Sequence, residues 1–391
     1  MATLLHVLIN VAVAAIAIVH PGAAVAFAEA KPTPLPVMPP IKHVFIIMLE
    51  NEDNAVAFGP SSKAPYLAKT LVSQGAYLKN YYAIGHSSLD NYIALISGQA
   101  PNPSTQRDCH TFTEFQSKGT TRDGQAIGDG CVYPASIKNL GTDLSAQGYA
   151  WREYAEDMGN DPHRDGVACG HPAIGSADPT VKAEPGGTVP DQYTTRHNPF
   201  VYFHSTIDSP LCSDEIVNLR QLDRDMESAY SAPNLAFITP NLCNDGHDSP
   251  CVTGEPGGLE AINSWLSHLV PKILATDAYK RGGLLLILFD EADVTVHADG
   301  AGKVTMTGDA RACCDEQSGP NVKEAGQIGP GGGNTGAVVL SPFIKPGTVS
   351  TVPYNHYSTL RTIEMIFGLP YLGYSGVSDL AVFGHDIFNA K

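Results

Sequence analysis

The chain has 391 residues, of which 43% are hydrophobic and 16% are charged, and this balance excludes a disordered chain or a coiled coil. Its 40 acidic and 24 basic side chains leave a formal net charge of −16. That charge argues against nucleic acid as a partner, because a polyanion requires a basic surface. The length fits one large domain or two ordinary ones, and either can bury a full core.

The first 30 residues have the pattern of a secretory signal peptide. An apolar run from Leu4 to Val19 precedes the small-x-small sequence Ala28-Glu29-Ala30, at which we expect cleavage. The alternative is an uncleaved membrane anchor, although the run is short for a membrane span. We therefore expect a secreted protein (extracellular, periplasmic or cell-wall) without stable membrane association. A proline-rich linker over residues 31–40 follows, and then one domain over residues 41–391.

The number of cysteines is even, which fits disulfide bonds in an oxidising compartment. Short loops favour pairing Cys109 with Cys131 and Cys243 with Cys251, although other connectivities stay open. No pair has the two-residue gap that recurs in zinc ribbons. The eight positions are Cys109, Cys131, Cys169, Cys212, Cys243, Cys251, Cys313 and Cys314.

Four unbroken apolar runs predict buried strands, because strands that are covered on both faces need no polar side. They are His43–Leu49, Asn234–Thr239, Gly283–Phe289 and Gly336–Leu340. Helical periodicity is present over Leu259–Ala275 and Ser358–Phe367. This order predicts an α/β fold with a mostly parallel central sheet and helices on both faces. The first three runs are expected to be neighbours in that sheet.

Two long stretches, residues 99–135 and 155–210, show no clear period and are rich in Gly, Asp, Thr, Pro and Cys. We interpret them as disulfide-tied loop insertions that lie over one end of the sheet and shape a pocket there.

Acidic residues follow two of the predicted strands. Glu50 and Asn51 end the first run, and Asp290 and Glu291 end the third. Ligands collect beyond the carboxyl ends of strands in open α/β sheets, so these side chains are expected to converge. Converging carboxylates repel one another unless a cation lies between them, and their oxygens suit a hard divalent ion. The alternative is that they are solvated strand-end residues.

Ser88 lies where a loop turns into a helix, within the segment Gly85–Gly98. One interpretation is a helix N-cap, with the hydroxyl bound to the first free amides. The other is a nucleophile, because the same helix N-terminus would hold a phosphoryl group near the hydroxyl. The segment by itself does not decide between them.

Six segments together resemble the phosphoesterase family. That family contains secreted acid phosphatases and phosphocholine-type phospholipases C, and it belongs to the alkaline phosphatase superfamily. The resemblance runs from about residue 41 to 385. Within the family, the chain is more similar to the smaller acid phosphatases than to the longer phospholipases C. The segments are VFIIMLEN (44–51), HSSLDNYIALISG (86–98), RHNPF (196–200), PNLCNDGHD (240–248), LLLILFDE (284–291) and NHYSTLRTIEMIFG (355–368).

The resemblance implies a role for each residue of the predicted site. Ser88 would be the nucleophile that becomes transiently phosphorylated. Glu50 would bind the metal, Asn51 would contact metal or phosphate, and Asp290 and Glu291 would complete the metal site.

The resemblance also implies that His197 and His247 face the phosphate. One would stabilise the transition-state oxygens, and the other would protonate the leaving group. Asp248 is placed to orient the imidazole of His247. His356 belongs to the family pattern, but a capping or core position is the alternative. Asn334 stands where two-metal members of the superfamily have His, which favours one divalent ion per site.

The resemblance therefore predicts a metal-dependent acid phosphatase that hydrolyses small phosphate monoesters through a phosphoserine, with activity below neutral pH. A phospholipase C-type phosphodiesterase and a phosphoinositide phosphatase are alternatives with the same site. A non-catalytic secreted binding protein is a third. One departure is Asp90, where related motifs commonly have Pro, because it adds a negative charge beside Ser88.

Overall fold

The predicted apolar runs form the centre of a large sheet in the computed structural model, which describes residues 35–186, 189–298 and 304–390. The predicted signal peptide and the first four residues of the linker lie outside this part of the chain. The strands are β1 (His43–Leu49), β2 (Ala76–Leu78), β3 (Tyr81–Tyr82), β4 (Gln116–Thr120), β5 (Ala126–Asp129), β6 (Trp151–Ala155), β7 (Ile216–Asn218), β8 (Leu235–Thr239), β9 (Gly283–Phe289), β10 (Val294–Ala298), β11 (Val304–Gly308), β12 (Ala337–Leu340), β13 (Thr348–Ser350) and β14 (Tyr354–Asn355).

The α-helices range from single turns to the 18 residues of the longest, and short 3₁₀ and π segments lie between them. They are α1 (Asn54–Ala57), α2 (Val72–Gln74), α3 (Ser88–Ser97), α4 (Leu140–Ala146), α5 (His204–Ile207), α6 (Leu211–Glu215), α7 (Leu222–Asp225), α8 (Gly258–Ala275), α9 (Asp277–Lys280) and α10 (His356–Phe367). Within the described ranges, we find no helix with the length and apolarity that a bilayer crossing requires.

The central sheet has the strand order β13-β2-β12-β9-β1-β8-β6-β7. β1 lies between β8 and β9 and runs parallel to both, so the first three predicted strands are neighbours as expected. β12, the fourth predicted strand, runs antiparallel to both β9 and β2, within a sheet that is otherwise parallel. The described residues between β9 and β12 contain no helix that returns the chain to the other end of the sheet. The chain therefore re-enters the sheet from the end where β9 finishes.

Alternate side chains of β1 enter two separate cores, because successive residues of a strand point to opposite faces. Val44, Ile46 and Met48 pack with α3, α4 and α10 on one face. Phe45, Ile47 and Leu49 pack with α8 on the other. The predicted α/β fold, mostly parallel with helices on both faces, is confirmed.

The two predicted insertions contribute core rather than only surface loops. Phe112 and Tyr133 from the first, and Phe200 and Tyr202 from the second, are fully or almost fully buried. They pack in the core that also contains α3. These segments lack periodicity because their aromatic side chains reach the core from irregular backbone.

All eight cysteines are paired, as predicted for an oxidising compartment. Both favoured pairs are confirmed. The bonds are Cys109–Cys131, Cys169–Cys212, Cys243–Cys251 and Cys313–Cys314.

We expect the fold to lose stability as the pH rises, in part through Glu364 of α10. Burial raises the pKa of this carboxyl group from 4.5 to about 8, against the hydrogen bonds from Ser375 and Leu372. Its contribution to stability is therefore complete below pH 4.5 and is lost as the pH rises through about 8. Thermal denaturation from about pH 5 to about pH 8 should show a smaller fall in Tm for Glu364→Gln than for the natural chain. The exposed Glu260→Gln is the control, and equal slopes in all three proteins would contradict the assignment.

Candidate active site

Glu50 is the centre of a buried polar cluster at the carboxyl end of β1. Its side chain is fully buried. Ser88 Oγ donates a hydrogen bond to Glu50 Oε2 at 2.8 Å, and Tyr92 OH donates to Glu50 Oε1 at 2.7 Å. Both donors belong to α3, whose N-terminus therefore faces the end of β1.

The N-cap interpretation of Ser88 is wrong, because Ser88 is the first residue of α3 and Ser87 is its N-cap. The Ser88 hydroxyl contacts Glu50 rather than the helix amides. The amide of Leu89 instead donates to Asp108 Oδ1 at 3.0 Å. The Ser88 hydroxyl thus stands at a helix N-terminus, next to a carboxylate.

Asp290, which directly follows β9, belongs to the same polar cluster. Its Oδ1 accepts the amide hydrogens of Asn51 at 3.0 Å and Glu291 at 2.7 Å. Its Oδ2 is buried and has no hydrogen-bond partner among the described residues. Asn51 has a left-handed backbone (φ 54°), and its Nδ2 donates to Glu50 Oε2 at 3.2 Å. The two strand ends therefore converge, as the sequence predicts.

Asp245 is a third acid in this cluster, and sequence reasoning did not select it. Its backbone carbonyl accepts the amide hydrogen of Glu50 at 2.9 Å, and its Oδ2 lies 3.1 Å from His197 Nδ1. One ligand atom from each of Glu50, Asp245 and His197 lies within 4.8 Å of the others. The only sequence feature that could have identified Asp245 was its position in the PNLCNDGHD run, since Asp245 does not follow a strand directly.

The three acids carry an unfavourable charge arrangement in the absence of a counter-ion. Burial, and then the charges of Asp290 and Asp245, raise the pKa of Glu50 well above its ordinary value. Burial also raises the pKa of Asp245, against the charge of Arg196, and the pKa of Asp290 to about 7. Buried like charges of this kind are stabilised by a cation. The free Oδ2 of Asp290 and the oxygen-rich donor set fit a hard divalent ion.

His197 is fully enclosed between these acids and α3. Its ring stacks on Tyr92 with a centroid distance of 5.2 Å and an interplanar angle of 4°. Its Nε2 lies 3.4 Å from Glu50 Oε1. Burial, then the charges of Arg196 and His247, lower its pKa well below 6.5. Burial and stacking therefore hold the ring in place, and burial disfavours its charged form.

His247 lies at the solvent side of the cluster, with its ring centroid 6.0 Å from that of His197. Its Nδ1 is 2.8 Å from Asp248 Oδ1, the contact expected for an acid that orients the imidazole. Its Nε2 is 3.0 Å from Nη2 of the buried Arg196. Arg196 was not selected from the sequence, although it precedes His197 in the quoted RHNPF segment. It is a positive charge beside an otherwise acidic site.

Glu291 follows Asp290 in the chain, and His356 contacts the backbone of Asp290. Glu291 is buried, and its Oε2 accepts a hydrogen bond from Asn91 Nδ2 at 3.2 Å. His356 Nε2 lies 2.8 Å from the backbone carbonyl of Asp290, and its Nδ1 lies 3.1 Å from Tyr81 OH. His356 is therefore a buried core residue, which is the alternative stated for it above.

Asn334 does not join the cluster. Its Nδ2 donates to the Lys79 carbonyl at 3.2 Å, and its amide donates to Asp309 Oδ2 at 3.0 Å. It lines a separate cleft that also contains Arg311.

The sequence of this chain is similar to those of known phosphatases. A family model described as "Phosphoesterase family" matches residues 60–370. The chain is 26% identical over 327 residues to a phosphate-repressible acid phosphatase of Penicillium chrysogenum, which covers 84% of this chain and 59% of that protein. It is 26% identical over 342 residues to a phosphatidylinositol-3-phosphatase of Mycobacterium tuberculosis, covering 86% and 81% of the two chains.

Among solved structures, a protein of the alkaline phosphatase superfamily from Vibrio parahaemolyticus is similar with a TM-score of 0.45 and 11% identity, over 85% of this chain and 67% of that one. The present chain spans somewhat more than half the length of the Penicillium relative. The family model covers most of the sequence, so the predicted membership is confirmed. The chain belongs to the Phosphoesterase family.

Proposed function

We propose that the protein is a metal-dependent phosphatase that hydrolyses phosphate monoesters through a phosphorylated Ser88. The observation that carries this proposal is the 2.8 Å hydrogen bond from the Ser88 hydroxyl to Glu50, at the N-terminus of α3. A helix N-terminus favours a bound anion, and a hydroxyl beside a buried carboxylate is placed to lose its proton. The names of the acid phosphatase relatives support the same reaction class.

Glu50, Asp245 and Asp290 would hold the divalent ion, with Asn51 beside them. When bound, such an ion supplies Lewis-acid polarisation of the phosphoryl oxygens and favours the ionised serine. Asn51 and Glu291 donate their amide hydrogens to Asp290 and so keep its Oδ2 directed away from the strand backbone. The predicted ligand Glu291 acts in this proposal through that amide and through its charge.

The remaining residues act on the substrate. Ser88 attacks phosphorus, and Glu50 Oε2 accepts the hydrogen bond of the attacking hydroxyl. His197, which Asp245 and Tyr92 hold in place, would stabilise the equatorial oxygens of the transition state. His247 is the more exposed of the two histidines, and we assign it the protonation of the leaving alcohol. Its Nε2, which accepts from Arg196 in this structure, would exchange that contact for the substrate oxygen. Water then hydrolyses the phosphoserine.

Rates with two nitrophenyl substrates test this function. The full-length protein with Mn²⁺, Mg²⁺, Zn²⁺ or Ca²⁺ should hydrolyse 4-nitrophenyl phosphate with a kcat/KM at least about tenfold higher than for bis(4-nitrophenyl) phosphate. A chelator should abolish both activities. A kcat/KM for bis(4-nitrophenyl) phosphate that equals or exceeds that for 4-nitrophenyl phosphate would identify a phosphodiesterase instead. No hydrolysis of either ester with any of the four ions would refute the proposal.

A phosphatidylinositol phosphatase is the second candidate. The observation in its favour is the similarity to the Mycobacterium tuberculosis protein of that name, which extends over 81% of its length. Phosphatidylinositol 3-phosphate in neutral vesicles is the appropriate substrate. A kcat/KM at least about tenfold above that for 4-nitrophenyl phosphate would favour this candidate over a general acid phosphatase.

Tyr92→Phe tests the arrangement around Glu50. The substitution keeps the ring that stacks on His197 and removes the hydrogen bond to Glu50 Oε1. Loss of one charge-assisted hydrogen bond should lower kcat by about tenfold, with little change in KM. Initial rates over a range of substrate concentrations measure both constants. Tyr354→Phe, which removes a buried hydroxyl bonded to Asp386 outside the cluster, is the control.

We infer that the protein acts after export. The pairing of all eight cysteines supports this, because disulfides persist in oxidising compartments. Mass spectrometry of protein from the culture medium would identify the mature N-terminus near residue 31. Exclusive recovery of the full chain from the cytosol would contradict export.

A further inference from the structure

Glu153 is a fully buried acid that the proposed reaction does not use. It lies on β6 between Trp151 and Ala155, whose side chains enter the core that also contains α3, and strand alternation directs Glu153 to the same face. Its neighbour Arg152 belongs to the opposite face and pairs with Asp225 at 3.1 Å. None of the ion pairs formed by the described residues includes Glu153.

Thr239 connects Glu153 to His197. Thr239 is the last residue of β8, and its Oγ1 lies 2.6 Å from Glu153 Oε1 and 3.1 Å from the backbone carbonyl oxygen of His197. The second oxygen of Glu153, Oε2, is buried without a hydrogen-bond partner among the described residues. A hydroxyl group has one proton, so Thr239 can donate to only one of its two oxygen neighbours.

This single proton indicates the protonation state of Glu153. An ionised Glu153 would take the Thr239 proton, and the His197 carbonyl would lose that hydrogen bond. It would also leave a buried negative charge with an unpaired oxygen, which is costly. A protonated Glu153 donates to Thr239 Oγ1, and Thr239 then donates to His197, so that both short contacts are hydrogen bonds. Burial raises the pKa of Glu153 in the same direction, against the hydrogen bond from Thr239.

The groups around Glu153 do not favour its ionised form. Phe237 of β8 and Ile216 of β7, which pair with Glu153 in the sheet, are apolar. Tyr193 is a buried phenol whose hydroxyl donates to the Gly170 carbonyl at 2.6 Å. Burial, and then charges that include that of Glu153, raise the pKa of this phenol. None of these neighbours carries a positive charge that would stabilise a carboxylate.

We propose that Glu153 is a positioning residue that works as a neutral acid: it donates to Thr239 Oγ1 and so directs the Thr239 hydroxyl to the carbonyl of His197. This chain of two hydrogen bonds fixes the 3₁₀ turn Thr195–His197 against the end of β8. The His197 ring, which stacks on Tyr92, is carried by that turn. The inference rests on the role proposed above for His197 in the reaction.

Infrared difference spectroscopy tests the proton on Glu153 and requires no turnover. Spectra of the full-length protein are recorded near neutral pH with Mg²⁺. The spectrum of the natural chain minus that of Glu153→Gln should contain the carbonyl stretch of a protonated carboxylic acid. The matched difference for Glu260→Gln, which removes an exposed acid, should contain carboxylate bands only. Absence of the protonated-acid band from the first difference would overturn the proposal.

Initial rates test the positioning role. Thr239→Val removes the hydroxyl between Glu153 and His197 and should lower kcat for 4-nitrophenyl phosphate by about tenfold, with little change in KM. Glu153→Gln, whose amide can donate in place of the acid, should keep kcat within about twofold, whereas Glu153→Met should lower it by about fivefold. Thr362→Val is the control, because it removes a buried hydroxyl of α10 that donates to the Ser358 carbonyl.

The outcomes separate this inference from the proposed function. If Thr239→Val and Glu153→Met keep full activity, Glu153 is only a neutral core acid and the positioning role is refuted. If the natural chain hydrolyses neither nitrophenyl ester, the proposed function fails, and spectra of ¹⁵N-histidine-labelled protein decide instead. Thr239→Val should then shift the ring signals that His197→Gln lacks, and unshifted signals would refute the positioning role. If Glu153→Met fails to fold, Thr239→Val decides by itself.

Discussion

Ser88→Ala is expected to lower kcat for 4-nitrophenyl phosphate by about 10⁴-fold or more, since removal of a covalent nucleophile leaves only binding and electrostatic effects. The hydroxyl that donates to Glu50 at 2.8 Å is lost, while the helix and its N-cap Ser87 remain. Stopped-assay rates at saturating substrate measure the loss. Acid quenching with ³²P-labelled substrate should also label the natural chain and leave Ser88→Ala unlabelled.

Ser87→Ala is the matched control, because it removes a hydroxyl one residue away that donates to the Gln106 carbonyl. It should retain activity within about tenfold of the natural chain. If Ser88→Ala kept activity comparable to Ser87→Ala, the phosphoserine mechanism would have to be abandoned, although the fold and family would stand.

Glu50→Gln is expected to have the second largest effect, a loss of about 10³-fold in kcat together with loss of the catalytic ion. The substitution keeps the shape of the side chain but removes a fully buried negative charge that faces Asp290 and Asp245. Opposite effects on activity and stability should follow. In a chelator, the Tm of Glu50→Gln should lie a few degrees above that of the natural chain, since the repulsion among the buried acids is relieved.

Metal content, kcat and Tm with and without chelator measure these effects. Glu364→Gln is the control, because it also neutralises a buried carboxyl group but lies in α10, bonded to Ser375 and Leu372. It should keep both the ion and the activity. Normal metal content in Glu50→Gln would remove Glu50 from the ion site, whatever the rate.

Much of this site could be predicted because it lies at strand ends. Glu50 and Asp290 each follow an unbroken apolar run, and the runs are adjacent parallel strands in which Leu49 pairs with Phe289. Residues that follow paired positions of parallel strands must emerge at the same edge of the sheet. Their convergence therefore needed only the strand assignments and their order.

Asp245, Arg196 and Tyr92 could not be selected in the same way. Asp245 and Arg196 lie in irregular segments, where no period indicates the direction of a side chain. Tyr92 lies on a helix face that is buried throughout, so its hydroxyl could not be distinguished from ordinary core by pattern. Their roles depend on contacts between residues that are distant in sequence: Asp245 with His197, Arg196 with His247, and Tyr92 with Glu50.

The sequence by itself determined the local features: buried strands from apolar runs, the start of α3 at Ser88, acids after two strands, and enough cysteines for four bonds. Tertiary structure decided the direction of β12, the burial of the two aromatic insertions and the choice of acids that meet. The physical reason is distance along the chain. Hydrophobic periodicity indicates only which residues within one segment are buried. The hydrogen bonds from Ser88 to Glu50 and between His197 and Asp245 join residues 38 and 48 positions apart. Such contacts form only when separate segments pack on the same sheet edge.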